Sequence, residues 1–268
     1  MNLKIKLFIR LVTVEFVKLR GTFAFKLSLL YPIGSVLLVT LFWISMRKAK
    51  EISTDQFISN LGNVAAFFLP FFIVLLVSVS CNTDHRSSML KHILALPVSR
   101  KIFYLGKFAG IMLFVGIAFI ATIACAYISL IICGLINSKL GFGVSFNHLL
   151  LVKVLLKGYL AASAIYSIQY WLGMRLRNLT LPVAIGSGLI ILPIAIMIIL
   201  GITGLITKEA EFNRIITYDP YSYPYSASFN FMKTPDSSLF PQQTLIFMLL
   251  SLVFLVFGIW EFNRRDIG

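Results

Sequence analysis

The sequence predicts an all-α integral membrane protein with six transmembrane helices. Of its 268 residues, 59% are hydrophobic, and the mean hydropathy is +0.91. The apolar residues form long uninterrupted runs, which is typical of helices that span a membrane. The formal net charge is +14, and the basic residues flank the apolar runs. That pattern indicates topology signals and contacts with anionic lipids, not a nucleic-acid interface.

Six apolar runs are long enough to cross a bilayer. The predicted spans cover residues 27–46, 61–81, 108–135, 154–174, 181–206 and 245–262, all within one domain of residues 1–268. Most Lys and Arg residues precede the first span or lie in the second–third and fourth–fifth connections. The positive-inside rule then places both termini in the cytoplasm and the chain in the cell (inner/cytoplasmic) membrane. Lys153 and Lys157, at the outer end of the fourth span, are expected to reach the headgroups.

Residues 1–25 mix apolar and basic side chains without one clean polar face. We expect an interfacial helix, held at the inner surface of the membrane by anionic lipids and by its apolar residues. The alternative is a cytoplasmic extension of the first span.

Residues 207–243 form the one long external segment, which is rich in tyrosine and proline. This composition predicts a cap at the level of the headgroups, with its rings half in lipid and half in water. Such a cap could gate or receive an amphiphilic substrate, or it could be an aromatic belt that anchors the segment.

The chain carries little that indicates chemistry of its own. All ten acidic residues fall in predicted loops or at span ends, so the predicted span interiors hold no paired carboxylates and no ion-coupling site. The three cysteines and three histidines show no metal-ligand spacing. No phosphate-binding Gly-x-x-x-x-Gly-Lys-Ser/Thr motif is present. We therefore expect no enzyme and no cofactor in this chain, and any energy for transport has to come from another subunit.

The connection from Asp84 to Lys107 is the most informative stretch. Its basic residues place it on the cytoplasmic side, yet its interior reads as a short amphipathic helix that ends at Pro97. Four apolar residues recur at helical spacing to give a stripe, formed by Met89, Leu90, Ile93 and Leu94. Such a stripe could dock in a groove on a partner or lie on lipid.

Within the fourth span, Gln169 lies near Tyr166 and Tyr170. A lone amide in an apolar span commonly bonds a neighbouring helix. Contact with a substrate is the alternative, so these three residues form a candidate substrate path. Gly106 and Gly110 form a Gly-x-x-x-Gly pair at the start of the third span, for which helix packing is the default expectation.

The 84–107 stretch resembles the coupling-helix loop of ABC-2-type transporter permeases. In that family an acidic residue precedes the short helix, followed by Leu-Pro-x-Ser-Arg and then by Gly-Lys. The matching positions here are Asp84, residues 96–100 and Gly106-Lys107, with Asp84 where the family usually has Glu. The six spans, the internal termini and the external segment also match, so the resemblance covers essentially the whole chain.

A narrower resemblance is to permeases of the lantibiotic (bacteriocin) self-protection group. It rests on residues 88–92 leading to Leu96-Pro97, and on residues 169–178 followed by Leu181-Pro182. Gly173 stands where Ser is common in that group. The cargo cannot be carried over, because closely similar permeases export different molecules.

The resemblance implies two permease chains, identical or paralogous, that pair with two cytoplasmic ATPases, which bind ATP and Mg. The coupling helix would occupy a groove on each ATPase, and ATP-driven closure would expel an amphiphile such as an antimicrobial peptide. The implied ATPase contacts are Asp84, Arg86, Met89, Leu90, Lys91, Ile93, Leu94, Pro97 and Arg100. Alternatives are a lipid, glycan or haem-related cargo, or a scaffold or sensor that transports nothing.

Overall fold

A computed structural model describes residues 3–45, 54–86, 99–136, 147–203, 215–233 and 238–264. Within these ranges the fold is helical, without strands. In chain order the helices are α1 (Leu3–Arg20), α2 (Phe23–Ser45), α3 (Thr54–Arg86), α4 (Arg100–Ile136), α5 (His148–Ala161), α6 (Ser163–Arg175), α7 (Thr180–Ile202), α8 (Tyr223–Lys233) and α9 (Gln242–Arg264).

Five of these helices are long and apolar enough to span a membrane: α2, α3, α4, α7 and α9. The helices α5 and α6 meet at an angle of 41°, and they provide a sixth span if the bent pair crosses as one unit. The helices α3 and α4 are longer than the predicted spans 61–81 and 108–135. Both continue into the charged flanks, where Asp84 of α3 and Lys107 of α4 form a buried ion pair.

The helix α3 lies at the centre of the bundle, where it packs against α2, α5, α6, α7 and α8. In its most apolar stretch 67% of the residues are buried, against 17% in α7. The main core joins α3, α4 and α6 through residues such as Phe72, Phe114 and Tyr170. The helix α7 therefore lies at the periphery and leaves most of its isoleucines uncovered.

The described helix ends that adjoin the connections assigned to the cytoplasm by charge counting lie together at one end of the bundle. The helix α1 packs along the beginning of α4. Arg100, at the start of α4, donates from Nη1 to the carbonyl of Asn263 near the end of α9 (3.1 Å). Arg175, at the end of α6, pairs with Glu261 of α9 (3.1 Å). This end of the bundle is referred to below as the basic end.

The external aromatic segment differs from its prediction. Residues 215–218 form a helical turn, and α8 follows and packs against α3 and α5. Tyr221, Tyr223 and Phe231 are buried in protein, with 1–3% of their surfaces exposed, so they do not lie half in lipid and half in water. The prediction was wrong for these rings because sequence composition does not show that α8 has its own packing partners.

Lys157 also departs from its expected position. Only 3% of its surface is exposed. Its ammonium lies 4.5 Å from the centre of the Phe231 ring and donates to the carbonyl of Ser238 (3.2 Å). The segment around α8 covers this lysine, so its side chain does not reach out to headgroups.

Candidate functional site

A four-charge cluster lies buried at the basic end and consists of Glu15, Lys18, Asp84 and Lys107. Lys18 bridges Glu15 Oε1 (2.7 Å) and Asp84 Oδ1 (2.5 Å). Lys107 donates to Asp84 Oδ2 (2.5 Å) and to the carbonyl of Ser80 (3.1 Å), and it lies 3.6 Å from Glu15 Oε2. Two cations and two anions from α1, α3 and α4 thus meet at one point with no net charge.

The cluster is a feature of the interior. The side chains of Asp84 and Lys107 are both 0% exposed. Charges removed from water to this extent are tolerated only when they are paired and hydrogen-bonded, as these are. Asp84 and Lys107 lie at the edges of the predicted spans, and the sequence does not show that Lys107 is enclosed by α1 and α3.

Two features of the sequence place α1 close enough for these contacts. Glu15 and Lys18 are three residues apart, so both side chains project from one face of α1. Gly106 and Gly110 give α4 a flat surface beneath that face. A Cβ added at Gly110 would lie 2.7 Å from Glu15 Cβ, and one at Gly106 would lie 3.1 Å from Leu11 Cβ. The Gly-x-x-x-Gly pair is therefore the surface on which α1 packs.

Of the predicted ATPase contacts, three fall within the described helices. The Asp84 carboxylate faces into the four-charge cluster, where lysines occupy both of its oxygens. Arg100 lies at the start of α4 and contacts α9, and Arg86 is the last residue of α3. The other six lie outside the described residues, namely Met89, Leu90, Lys91, Ile93, Leu94 and Pro97. The segment 87–98 begins three residues after Asp84, a member of the cluster.

The candidate substrate path in α6 forms contacts between helices. The Gln169 amide donates from Nε2 to Ser78 Oγ on α3 and to the carbonyl of Pro182 on α7, both at 2.9 Å. Tyr170 donates its hydroxyl to the carbonyl of Tyr104 on α4 (2.8 Å), and Tyr166 is buried in the same core. Gln169 therefore bonds neighbouring helices, which is the first of the two roles considered for it from the sequence. Gln169 is fully buried, and a Cβ added at Gly186 would lie 2.7 Å from Gln169 Oε1.

The open space lies elsewhere, in an apolar cavity of about 550 Å³ between α3, α7 and residues 216–225. Ala66, Phe67 and Phe71 of α3 form one wall. The other walls consist of α7 residues, mainly isoleucines, and of Ile216, Tyr221, Ser222 and Tyr225. No sequence pattern predicts this cavity, because its lining consists of the same residue types as a lipid-facing surface. None of Tyr166, Gln169 and Tyr170 lines it.

Among the residues that the structure describes, no group of three or more His, Cys, Asp or Glu is placed to hold a metal ion. The charged site is an ionic joint between α1, α3 and α4, and the cavity has a mainly apolar lining. The arrangement can transmit movement and can hold an apolar molecule.

Comparison with known families agrees with this architecture. The family described as "ABC-2 family transporter protein" matches residues 11–204, from α1 to just beyond α7. That is more than half of the chain, so the chain belongs to the ABC-2 transporter family. It is accordingly a multi-pass membrane protein with the role of a transport permease. A comparison with curated proteins found no match.

Proposed function

We propose that this chain is the permease subunit of an ATP-driven exporter that expels an antimicrobial peptide or a similar amphiphile from the cell membrane. Its partners are a cytoplasmic ATPase, which binds ATP and Mg, and a second permease chain, identical or paralogous. Family membership and the lack of a phosphate-binding motif in the chain both support an external energy source.

The observation that carries the proposal is the four-charge cluster. Asp84 lies just before the segment 87–98, and Lys107 lies beyond it, so their ion pair joins the two sides of the loop. Lys18 ties α1 to the same point. An ATPase that pushes on residues 87–98 would therefore move α1, α3 and α4 together. In this proposal the Asp84 carboxylate supports the coupling segment from inside, while the apolar stripe makes the contact.

The helix α3 offers a path from this joint to the cavity. It carries Asp84 near its end and the cavity residue Phe71 thirteen positions earlier. At 1.5 Å per residue, these two residues are about 20 Å apart along the helix axis. Displacement of the end of α3 would then change the wall of a cavity that suits an apolar cargo. This favours an amphiphile over a glycan.

The helix α1 suits an interfacial position at the cytoplasmic surface. Its inner face holds Glu15 in the cluster, whereas Ile5, Ile9, Val14 and Val17 leave about half or more of their surfaces uncovered. Such an apolar face next to basic residues fits the boundary between headgroups and acyl chains. With this orientation both termini are cytoplasmic, and membrane lipids are the surroundings of the helix.

The proposal is tested by purifying the detergent-solubilised chain from its native membrane and assaying the eluate for ATPase activity. We expect an ATPase to co-elute with the wild type and to be lost in Ile93→Asp, which places a charge on the apolar stripe. The matched control is Ala95→Asp, because helical spacing puts residue 95 on the opposite face.

Equal retention in both variants would contradict the coupling role of the stripe. A wild-type chain that brings down no ATPase would contradict the transporter assignment and would favour a scaffold or a sensor.

A further inference from the structure

The end of α9 at the basic end is bonded to two neighbouring helices. Arg100, at the start of α4, donates to the carbonyl of Asn263 (3.1 Å), so a cation from another helix caps the last turn of α9. Glu261 of α9 accepts from Trp171 Nε1 (2.5 Å) and pairs with Arg175 (3.1 Å), and both partners belong to α6. Charge-assisted bonds therefore join this end of α9 to α4 and α6.

Apolar packing supports the same attachment. The Phe262 side chain is buried, stacks on the Phe103 ring (6.0 Å between ring centres) and lies 5.7 Å from the Tyr104 ring. Gly258 lies directly against the Tyr104 hydroxyl, where an added Cβ would clash. All three partners of α9 on α4 lie within residues 100–104, which follow closely on the segment 87–98. Movement of the start of α4 would therefore displace the end of α9.

The opposite end of α9 contacts the external helix α8 through Tyr223. The Tyr223 hydroxyl and Thr244 Oγ1 are hydrogen-bonded at 2.7 Å, and the Tyr223 ring lies 4.8 Å from the Phe247 ring. All three side chains are buried, so this bond is shielded from solvent. Thr244 and Glu261 are seventeen positions apart, which corresponds to about 25 Å along the helix axis.

Between these two attachments, α9 is one continuous helix without proline. One side of it packs against α6. The other side is uncovered, and Leu249, Val253 and Val256 each leave more than 60% of their surfaces exposed. A regular helix that is bonded near both of its ends is a rigid element, and such elements can carry a displacement from one site to another.

We propose that α9 transmits movement from the segment 87–98 to α8. Arg100 and Glu261 are positioning residues at its basic end, and Thr244 is the positioning residue at its other end. The source of the movement rests on the proposed function, in which an ATPase pushes on residues 87–98. Arg100, an ATPase contact in the family resemblance, acts in this inference within the chain.

The position of α8 gives this transmission a consequence. The helix α8 also packs against α3, which carries Asp84 in the four-charge cluster. It thus contacts two helices that extend to the basic end, and unequal displacement of α3 and α9 would turn it. The family match ends at residue 204, before α8 and α9, so the match assigns no role to either helix.

The first measurement is hydrogen–deuterium exchange of the α8 amides, read by mass spectrometry on the purified full-length chain without ATPase. Arg100→Gln weakens the attachment of α9, and we expect exchange of α8 to rise about threefold to tenfold, the value of one hydrogen bond. Lys101→Gln is the matched control, because Lys101 is exposed on the same helix. It should leave exchange of α8 unchanged.

A general loss of stability would also raise exchange, so a second pair of variants interrupts α9 between its attachments. Val253→Gly/Val256→Gly softens the helix at two exposed positions, and Val253→Ala/Val256→Ala is its control. In the glycine background, Arg100→Gln should still raise exchange in the last turn of α9 but should no longer affect α8. In the alanine background, it should affect α8 as in the wild type. Additive effects of Arg100→Gln and the glycine pair on α8 would overturn the proposal.

The attachment to α8 is tested in the same way. Thr244→Val and Tyr223→Phe remove the same hydrogen bond, so each should abolish the response of α8 to Arg100→Gln. Tyr218→Phe, at an exposed tyrosine, should preserve that response. A response of unchanged size in Thr244→Val would mean that the movement does not pass through α9, which would contradict the proposal.

The complex with the ATPase gives a separate arm. In the co-purified complex, ATP with vanadate should change exchange of α8 by about threefold or more. The glycine pair should abolish this change while ATP hydrolysis persists, and the alanine pair should retain it. No response in the wild-type complex, or an unchanged response in the glycine pair, would overturn the proposal. If no ATPase co-elutes, the proposed function fails, and the measurements without ATPase still decide whether α9 links its two ends.

Discussion

Replacement of Lys107 by Met should be among the most destabilising changes in this chain. The Lys107 ammonium is fully buried and pairs with Asp84 at 2.5 Å and with Glu15 at 3.6 Å. Without it, two buried carboxylates share Lys18 alone, and one negative charge has no compensation. Breaking a buried pair by removing one partner costs about 3–5 kcal/mol. At roughly 2–4 °C per kcal/mol for a chain of this size, the midpoint of unfolding should fall by roughly 6–20 °C.

The assay is thermal unfolding in detergent, followed by size-exclusion chromatography of the remaining folded protein. Lys101→Met is the matched control, because Lys101 lies on the same helix and is exposed; it should change the midpoint little. The double variant Lys107→Met/Asp84→Asn removes one charge of each sign and leaves the pair of Glu15 and Lys18. It should recover about 2 kcal/mol relative to the sum of the single changes. If Lys107→Met and Lys101→Met unfold at the same temperature, the ionic joint does not hold this end together.

Two further predictions concern helix packing. Gly110→Ala places a Cβ 2.7 Å from Glu15 Cβ and should push α1 away from α4. Gly116→Ala is the control, because its Cβ meets nothing within 4 Å and the change should be neutral. Limited proteolysis of α1 compares the two variants, and equal protection of α1 would contradict this packing. Gln169→Leu removes two buried hydrogen bonds and should cost about 2–5 kcal/mol of stability, measured by thermal unfolding. Loss of export with unchanged thermal stability would instead favour contact between Gln169 and a substrate.

The long apolar helices could be predicted from the sequence because bilayer thickness sets a length that apolar runs must meet. Five helices and the bent α5–α6 pair match the six predicted runs, with ends displaced by several residues. The bend at residue 162 has no Pro or Gly at that position, so local sequence did not signal it. The burial of α8 was missed for a different reason. Tyrosine and proline suit both an interfacial cap and a packed helix, and only tertiary contacts decide between them.

The candidate site was predictable in its location but not in its internal chemistry. The sequence pattern singles out the segment after Asp84, whereas for Lys18 and Lys107 it predicts only topology signals. Their pairing depends on α1 lying against α4, a long-range contact that residue spacing does not encode. One signal was available. Glu15 is the lone acidic residue among the first 26 positions, and in an otherwise basic segment a single carboxylate suggests a specific cation. Gly110 then indicates the position on α4 against which Glu15 packs.

The packing around α3 differs between the four-charge cluster and the cavity. At the basic end, the ion pairs hold α3 to α1 and α4 at a point where Asp84 and Lys107 are fully buried. At the cavity, α3 faces open space and the peripheral helix α7, across a wall without charge. Only the side of α3 that carries Phe67 and Phe71 faces the void, so a movement of the fixed end can change the shape of the void on that side. In the reverse arrangement, with the cavity beside the coupling segment, a push would be absorbed locally. Under the proposed function, the distribution of packing along α3 favours transmission from residues 87–98 toward the cavity.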